Sequence, residues 1–297
     1  MAMELYSNPE FPRQVWQPRT IVEAWQLKQQ FAEQAVFVSG GTLLRTQWES
    51  GAFLPPQHLI SLESLPELHG IQSDQQEIRI GSAVTLAACL RDLRTPALLK
   101  DACRNIAAPS IRNMGTLGGN IMSTVGDSLP ALLATDARLV WFNGQNMITQ
   151  TTAEWLQQRR AALLTKEPRL LLQIIVPRIA APDGFVDSFY EKLGRREAFC
   201  PSVVTIAGEL LTDTEYNIRS IRLAAGSAAS MATRLTDAEA LLEGQQLSLR
   251  LIEYIHPLIK QQFNGGSDAF ASNEYRRQAA ANMIAAALWS RISSQNR

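Results

Sequence analysis

Cysteine and histidine are scarce, three of each in 297 residues. Cys89, Cys103 and Cys200 are odd in number and widely spaced, and no Cys-x-x-Cys occurs. That argues against a disulfide framework, and this chain alone cannot supply the four thiolates of a usual iron–sulfur cluster. Each cysteine reads as a small buried apolar residue. His58, His69 and His256 stand in no His-x-x-x-His arrangement and have no Cys or paired carboxylate at ligand spacing. No metal site is expected, and each histidine reads as a surface or satisfied residue. Also missing are a Gly-x-Ser-x-Gly elbow, a Walker A loop and a Gly-x-Gly-x-x-Gly fingerprint after a strand, so the usual Rossmann route to a dinucleotide is closed.

An excess of charge is absent too: 28 Lys and Arg balance 28 Asp and Glu. With no long basic run, the footprint of a dedicated nucleic-acid binder is lacking. No apolar run approaches the roughly 20 residues that cross a bilayer, so no membrane span is expected. The opening residues hold Glu4, Pro9, Glu10 and Pro12 where a signal peptide needs a basic start and an apolar stretch, and a cytoplasmic location is the expectation. What remains is an ordinary globular composition, 46% apolar and 19% charged, long enough for two domains or three small ones.

The pattern along the chain begins as helix, strand and glycine turn. Thr20 and Glu23 have capping-box spacing before Ile21, Val22, Trp25 and Phe31. Ala35 to Val38 is a short apolar run typical of a strand, and it empties into Ser39-Gly40-Gly41-Thr42. His58 to Leu62 and Glu77 to Gly81 read as strands opening a second block, followed by helical patterns over 84–93 and 97–107. Next come a Gly-, Asn- and Ser-rich stretch, Ala108 to Met122, and an apolar segment, Leu129 to Ala134. Arg138 to Phe142 and Leu170 to Val176 read as strands separated by a polar helix around Glu154–Arg160. Pro177 to Gly184 is the best domain boundary. Beyond it three strands are expected (Phe185–Tyr190, Val203–Leu211, Ile218–Ala224), then helices, with Thr236 and Glu239 at capping-box spacing and Ser272-Asn273 capping the last one. Strands followed by helices indicate an α+β domain.

Two glycine turns carry the chemistry that is left. Paired glycines permit φ > 0 and let backbone N–H groups approach a ligand as an anion-binding nest. One is Val38-Ser39-Gly40-Gly41-Thr42; the other is Asn113 to Asn120, with Thr116 and Gly118-Gly119, flanked by the hydroxyls of Ser110 and Ser123. Both are suited to phosphate oxygens, and a dinucleotide pyrophosphate is the natural ligand of two facing turns. Each alone is more often a plain turn.

The order Ser39-Gly40-Gly41-Thr42, then Ile111-Arg112-Asn113-x-x-Thr116-x-Gly118-Gly119-Asn120-Ile121, then Asp127-Ser128-Leu129-Pro130 and Asp136-Ala137 resembles the FAD-binding subunits of molybdenum hydroxylases, the xanthine dehydrogenase and carbon monoxide dehydrogenase family. Tyr190-Glu191-Lys192 and Glu274-Tyr275-Arg276 extend the resemblance through the C-terminal part. It implies an α+β fold: a vanillyl-alcohol-oxidase/p-cresol-methylhydroxylase-type FAD-binding domain over residues 1–178, made of two α/β subdomains (about 1–56 and 57–178). A C-terminal α+β domain of the carbon monoxide dehydrogenase flavoprotein type, with a three-stranded sheet, would follow over 184–297.

Carried over by motif, Val38, Ser39, Gly40, Gly41, Thr42, Leu43 and Leu44 with Thr116, Leu117, Gly118, Gly119 and Asn120 would hold the FAD diphosphate. Ile106 and Leu172 would be apolar cofactor contacts, Asp127 an acidic one and Lys192 a basic residue near the flavin. Many relatives have Asp where this chain has Leu43. On the residues alone, Lys192 is equally a solvated strand residue, Arg112 a surface ion pair and Asp127 a helix N-cap for Leu129–Ala134. The function implied is an electron-transfer subunit. Its FAD would take electrons from [2Fe–2S] clusters on a small partner subunit, while a large partner subunit holds the molybdenum cofactor. Two alternatives stay open, a stand-alone FAD-dependent oxidase or dehydrogenase and a non-catalytic flavin-binding or assembly protein.

Overall fold

The computed structural model describes residues 13–161, 169–181, 183–196 and 200–295. Strands β1 (Gln14–Trp16), β2 (Ala35–Val38) and β3 (His58–Ser61) form an all-parallel sheet with β3 at its centre. Helix α1 (Ile21–Phe31) joins the first two strands and α2 (Thr42–Glu49) the next two, since parallel neighbours need a crossover. The Thr20 hydroxyl accepts from Glu23 N–H at 3.1 Å as the spacing predicts, but the Glu23 carboxylate reaches back to Arg19 N–H, one residue beyond a reciprocal box. The expected subdomain division near 56/57 falls one strand too early. Because β2, α2 and β3 make one crossover unit, β3 pairs backwards with β2 and β1 rather than opening the next block.

The second sheet is antiparallel throughout, in the order β4 (Ile71–Ser73), β5 (Glu77–Gly81), β8 (Leu170–Pro177), β6 (Arg138–Phe142), β7 (Met147–Thr151). Between β5 and β6 lie five short helices, α3 (Leu86–Arg91), α4 (Ala97–Asn105), α5 (Pro109–Arg112), α6 (Leu117–Met122) and α7 (Leu129–Ala134), and α8 (Thr152–Arg160) follows β7. The apolar faces of this block form one core that includes Ile80, Leu117, Leu139, Trp141 and Ile174. Strand β7 escaped the sequence reading because none of its side chains is fully buried. It ends at Thr151, which with Glu154 forms a reciprocal capping box for α8.

The C-terminal sheet runs β12 (Ser230–Arg234), β11 (Ile218–Ser227), β10 (Ser202–Asp213), β9 (Gly184–Gly194), all antiparallel. It has one strand more than the three expected. Side chains alternate along β10: Val204, Ile206 and Leu210 face helices α9 (Thr236–Leu242), α10 (Leu249–Gln262) and α11 (Asn273–Gln295), whereas Ala207 faces Leu98, Ala102, Ala131 and Ala134 of α4 and α7. Helices cover both faces, so β10 reads as a nearly unbroken buried run rather than an alternating one. Thr236 does not cap α9. Leu235 holds that position, and the buried Glu239 carboxylate instead accepts from Leu223 N–H and from Arg234 Nε. Ser272 does accept from Tyr275 N–H at the start of α11.

Cys89 and Cys103 are fully buried between α3 and α4, where a hydrogen bond to the Cys89 thiol and burial push the Cys103 thiol up. Among the described residues, no group of three or more His, Cys, Asp and Glu is placed to hold a metal ion, and no helix is long and apolar enough to cross a membrane.

Candidate functional site

The first glycine turn leaves β2 and becomes the start of α2. Gly41 is the N-cap residue at φ +64°, in the left-handed region that suits glycine, and having no side chain it caps nothing. The first turn of any helix lacks intrahelical acceptors. Among the described residues, no acceptor faces the N–H groups of Gly40, Gly41, Thr42, Leu43 and Leu44; the first helical bond is Arg45 N–H to Gly41 O, at 2.8 Å. No carboxylate stands between Val38 and Leu44. Open amides, the positive end of a helix and no competing anion make this turn a receptor for negative charge.

Gly40 serves a different purpose. A Cβ there would sit 1.9 Å from the Met114 carbonyl oxygen, so the turn is pressed directly onto the backbone leading into the second glycine segment. A Cβ at Gly115 would in turn lie 3.3 Å from Thr42 Oγ1. The two turns are therefore neighbours in space, although more than seventy positions separate Gly41 from Thr116 in the sequence.

The second turn is a helix start rather than a loop. Thr116 is the N-cap of α6, and Leu117, Gly118, Gly119 and Asn120 are its first residues. All of these amides are paired. Leu117 N–H donates to Val84 O, Gly118 N–H to Ser82 O, Gly119 N–H to the Thr116 hydroxyl and Asn120 N–H to Thr116 O, at 2.9–3.1 Å. The nest of free amides expected here is not formed. Gly118 is required by fit, since a Cβ would lie 2.6 Å from Ser82 O. Gly119 is exposed, and a Cβ there would meet only Thr116 Oγ1, at 3.1 Å. The second turn thus offers a bare backbone surface at Gly119, a few residues on from the Met114–Gly115 backbone that the first turn touches.

Of the other residues picked from the sequence, Leu172 is tied to the second turn through Ser82 and Asp127 through its neighbour Ser128. Leu172 on β8 is 6% exposed, and its carbonyl accepts from Ser82 N–H directly beneath Gly118. Ile106, 8% exposed, ends α4. Among the described residues Arg112 has no ion-pair partner; its Nη1 donates to the carbonyls of Arg104, Ile106 and Ala107, tying α5 to the end of α4.

Asp127 and Lys192 meet each other. Lys192 Nζ lies 2.7 Å from Asp127 Oδ2 and 2.9 Å from Asn105 O. With only 9% and 13% of the two side chains exposed, Lys192 is not a solvated strand residue. Asp127 does not cap α7, whose N-cap is Ser128. Its Oδ1 accepts from the Ser202 hydroxyl at 2.6 Å and its carbonyl from Tyr190 Oη at 2.9 Å. Burial, with the Asp127 charge behind it, pushes the Tyr190 phenol well up, so it stays a donor. The sequence reading missed Tyr190 and Ser202 as members of this cluster, and Ser82 as the residue packed beneath Gly118. Tyr190 had a signal in its proximity to Lys192; Ser82 and Ser202 had none.

Known proteins resemble the chain along nearly its whole length. Residues 10–179 match the model described as FAD binding domain in molybdopterin dehydrogenase, and residues 188–290 match the CO dehydrogenase flavoprotein C-terminal domain. The carbon monoxide dehydrogenase medium chain of Hydrogenophaga pseudoflava is 27% identical over 290 residues, covering 93% of this chain and 96% of the relative. The xanthine dehydrogenase FAD-binding subunit of Escherichia coli O157:H7 is 28% identical over 251 residues, covering 82% and 84%. Among solved structures, carbon monoxide dehydrogenase from Hydrogenophaga pseudoflava superposes with a TM-score of 0.85 at 24% identity, covering 94% of this chain and 98% of that one.

Proposed function

Since the chain belongs to the family of FAD-binding domains in molybdopterin dehydrogenases, we propose that it is the FAD-binding, electron-transfer subunit of a heteromeric molybdenum hydroxylase. A small [2Fe–2S] subunit would feed it electrons, and a large molybdenum subunit would carry out the substrate chemistry. The observation that supports this reading best is the pairing of two unlike glycine turns, one with open amides and one with a bare surface. A diphosphate fits that donor set. It is anionic, it needs N–H donors, and it needs room for close backbone approach, which a side chain at Gly119 would take away.

Residues Val38 to Leu44 would bind the diphosphate through their amides, and Thr116 to Asn120 would close over it. Ile106 and Leu172 would offer small apolar edges, and Asp127 and Lys192 would brace the loop at the side of the site. When bound, the flavin supplies chemistry that accepts electrons singly and releases them as a pair. The medium-chain relative belongs by its name to a larger enzyme, and the three scattered cysteines of this chain leave the cluster relay to a partner.

Two measurements test the proposal. The purified chain should carry about one non-covalent FAD, identified by chromatography after heat release; FMN in its place, or no flavin after reconstitution with FAD, contradicts it. Purines or aldehydes should leave the flavin of the isolated chain oxidised, whereas the right substrate should bleach it in the assembled complex. Bleaching in the isolated, metal-free chain would establish a stand-alone enzyme instead.

A further inference from the structure

The loop that carries Asp127 is held from two sides. Toward the second glycine turn, Ser128 donates both its N–H and its hydroxyl to Asn120 Oδ1, at 3.1 and 2.6 Å. Gly126 packs so closely there that a Cβ would lie 2.2 Å from Asn120 O. Toward the C-terminal sheet, Asp127 is gripped by Lys192 and Tyr190 from β9 and by Ser202 from β10. Both carboxylate oxygens are occupied by these C-terminal groups, and the Lys192 ammonium is shared with Asn105 O on the flavin-domain side.

Such an arrangement ties the Asp127 loop to both domains at once. If the C-terminal sheet withdraws, a carboxylate and an ammonium that are nearly buried lose their partners together, and partial opening gains neither of them back. Resting on the flavin reading above, we propose that Asp127, Ser202 and Tyr190 are positioning residues that couple cofactor occupancy of the glycine turns to docking of the C-terminal sheet. A ligand that fixes Asn120 and its turn fixes the Asp127 loop, and a docked sheet fixes the same loop from the other side. Linkage makes the effect reciprocal: FAD tightens the domain contact by the factor by which the contact tightens FAD.

The test uses the full-length chain, titrated with FAD and followed by flavin fluorescence and thermal unfolding. Ser202→Ala and Tyr190→Phe should each weaken FAD about five- to tenfold, and Asp127→Asn should weaken it more. A merely structural role lowers the unfolding temperature with and without FAD alike. Coupling instead shrinks the rise in unfolding temperature that FAD produces. Wild-type FAD affinity together with the full FAD-induced rise in Ser202→Ala and Tyr190→Phe overturns the proposal, whether or not Asp127→Asn folds. Gly41→Val, measured alongside, separates the two ways of failing. If it abolishes FAD binding while the clasp variants bind normally, the coupling is wrong and the flavin site stands; if it too binds FAD normally, the flavin reading falls and the coupling with it.

Discussion

The two Gly-Gly pairs look interchangeable in the sequence and are built for different tasks. In the first, Gly41 supplies a left-handed φ and leaves five successive amides open, Gly40 to Leu44. In the second, every amide from Leu117 to Asn120 is already bonded within the protein, and neither glycine has positive φ. Gly118 is there to let α6 touch Ser82, and Gly119 keeps a surface clear. A glycine pair is thus a permission, and its surroundings decide whether conformation, fit or empty space is being used. Recognition of an anion divides accordingly between a turn that donates and a turn that stays out of the way.

Substitutions should separate these uses. The largest effect on FAD binding is expected from Gly40→Ala, because its Cβ would fall on the Met114 backbone, which cannot rotate aside. The turns would be forced apart, flavin should be lost, and overpacking should cost about 1–3 kcal/mol in urea unfolding. Gly41→Ala should come next. Space is available, with only Val38 Cγ1 at 3.5 Å, but the left-handed φ costs an L-residue about 1–2 kcal/mol. FAD affinity should fall at least tenfold, and Gly41→Asn, which tolerates that φ better, should recover part of it. Equal affinity of the alanine and asparagine variants would remove conformation from the account of this turn.

Much of the frame was legible from local pattern. The strands of the second sheet's core, the Thr20 and Ser272 caps and the two glycine turns all announce themselves over a few residues. What was hidden depends on distant partners. His58 to Ser61 follows two prolines and looks like a new beginning, yet parallel pairing on both sides makes it the centre of the first sheet. Thr236 and Glu239 have the spacing of a capping box, but tertiary bonds to Leu223 and Arg234 claim the glutamate. The Leu117 to Gly119 turn resembles a nest until the carbonyls of Val84 and Ser82, more than thirty positions earlier, are seen to occupy the amides of Leu117 and Gly118, and the Thr116 hydroxyl that of Gly119. Asp127 and Lys192, read as separate cofactor contacts, prove to be partners across a domain boundary.

The second turn gives the sharper test because stability and binding should move in opposite directions there. Gly119→Ala replaces a helical glycine at ordinary φ, so the apoprotein should be unchanged or stabilised by up to about 0.5 kcal/mol. FAD should nonetheless bind several-fold more weakly, since the methyl group fills the cleared surface. Unaltered FAD affinity would show that the flavin does not approach this backbone. Thr116→Ala should instead act mainly on stability. Loss of the cap on Gly119 N–H should cost about 1 kcal/mol of stability, with at most a two- to threefold loss of FAD affinity, because the amide set free is itself a donor.

The smallest effect on flavin should come from a charge away from both turns, which makes it the control for the comparison. Glu209 lies on β10 opposite Arg222, which is bonded to Asp136 of the flavin domain. Burial pushes the Glu209 carboxyl up to about 7, against the pull of Arg222. A carboxyl raised in the folded state binds its proton more tightly there than in the unfolded chain. Between about pH 4.5, its ordinary value, and pH 7, the folded state therefore holds more protons, and stability falls as pH rises. The penalty is absent below that window and complete above it, on the order of 1 kcal/mol after allowance for solvent at this partly exposed side chain. Glu209→Gln should match the wild type in urea unfolding near pH 4.5 and exceed it above pH 7. Its FAD affinity should equal the wild-type value at every pH in that range, because among the described residues no hydrogen bond links Glu209 to either glycine turn. A pH-dependent difference in FAD affinity between the two proteins would mean that β10 communicates with the turns through the sheet as a whole, beyond Ser202 alone.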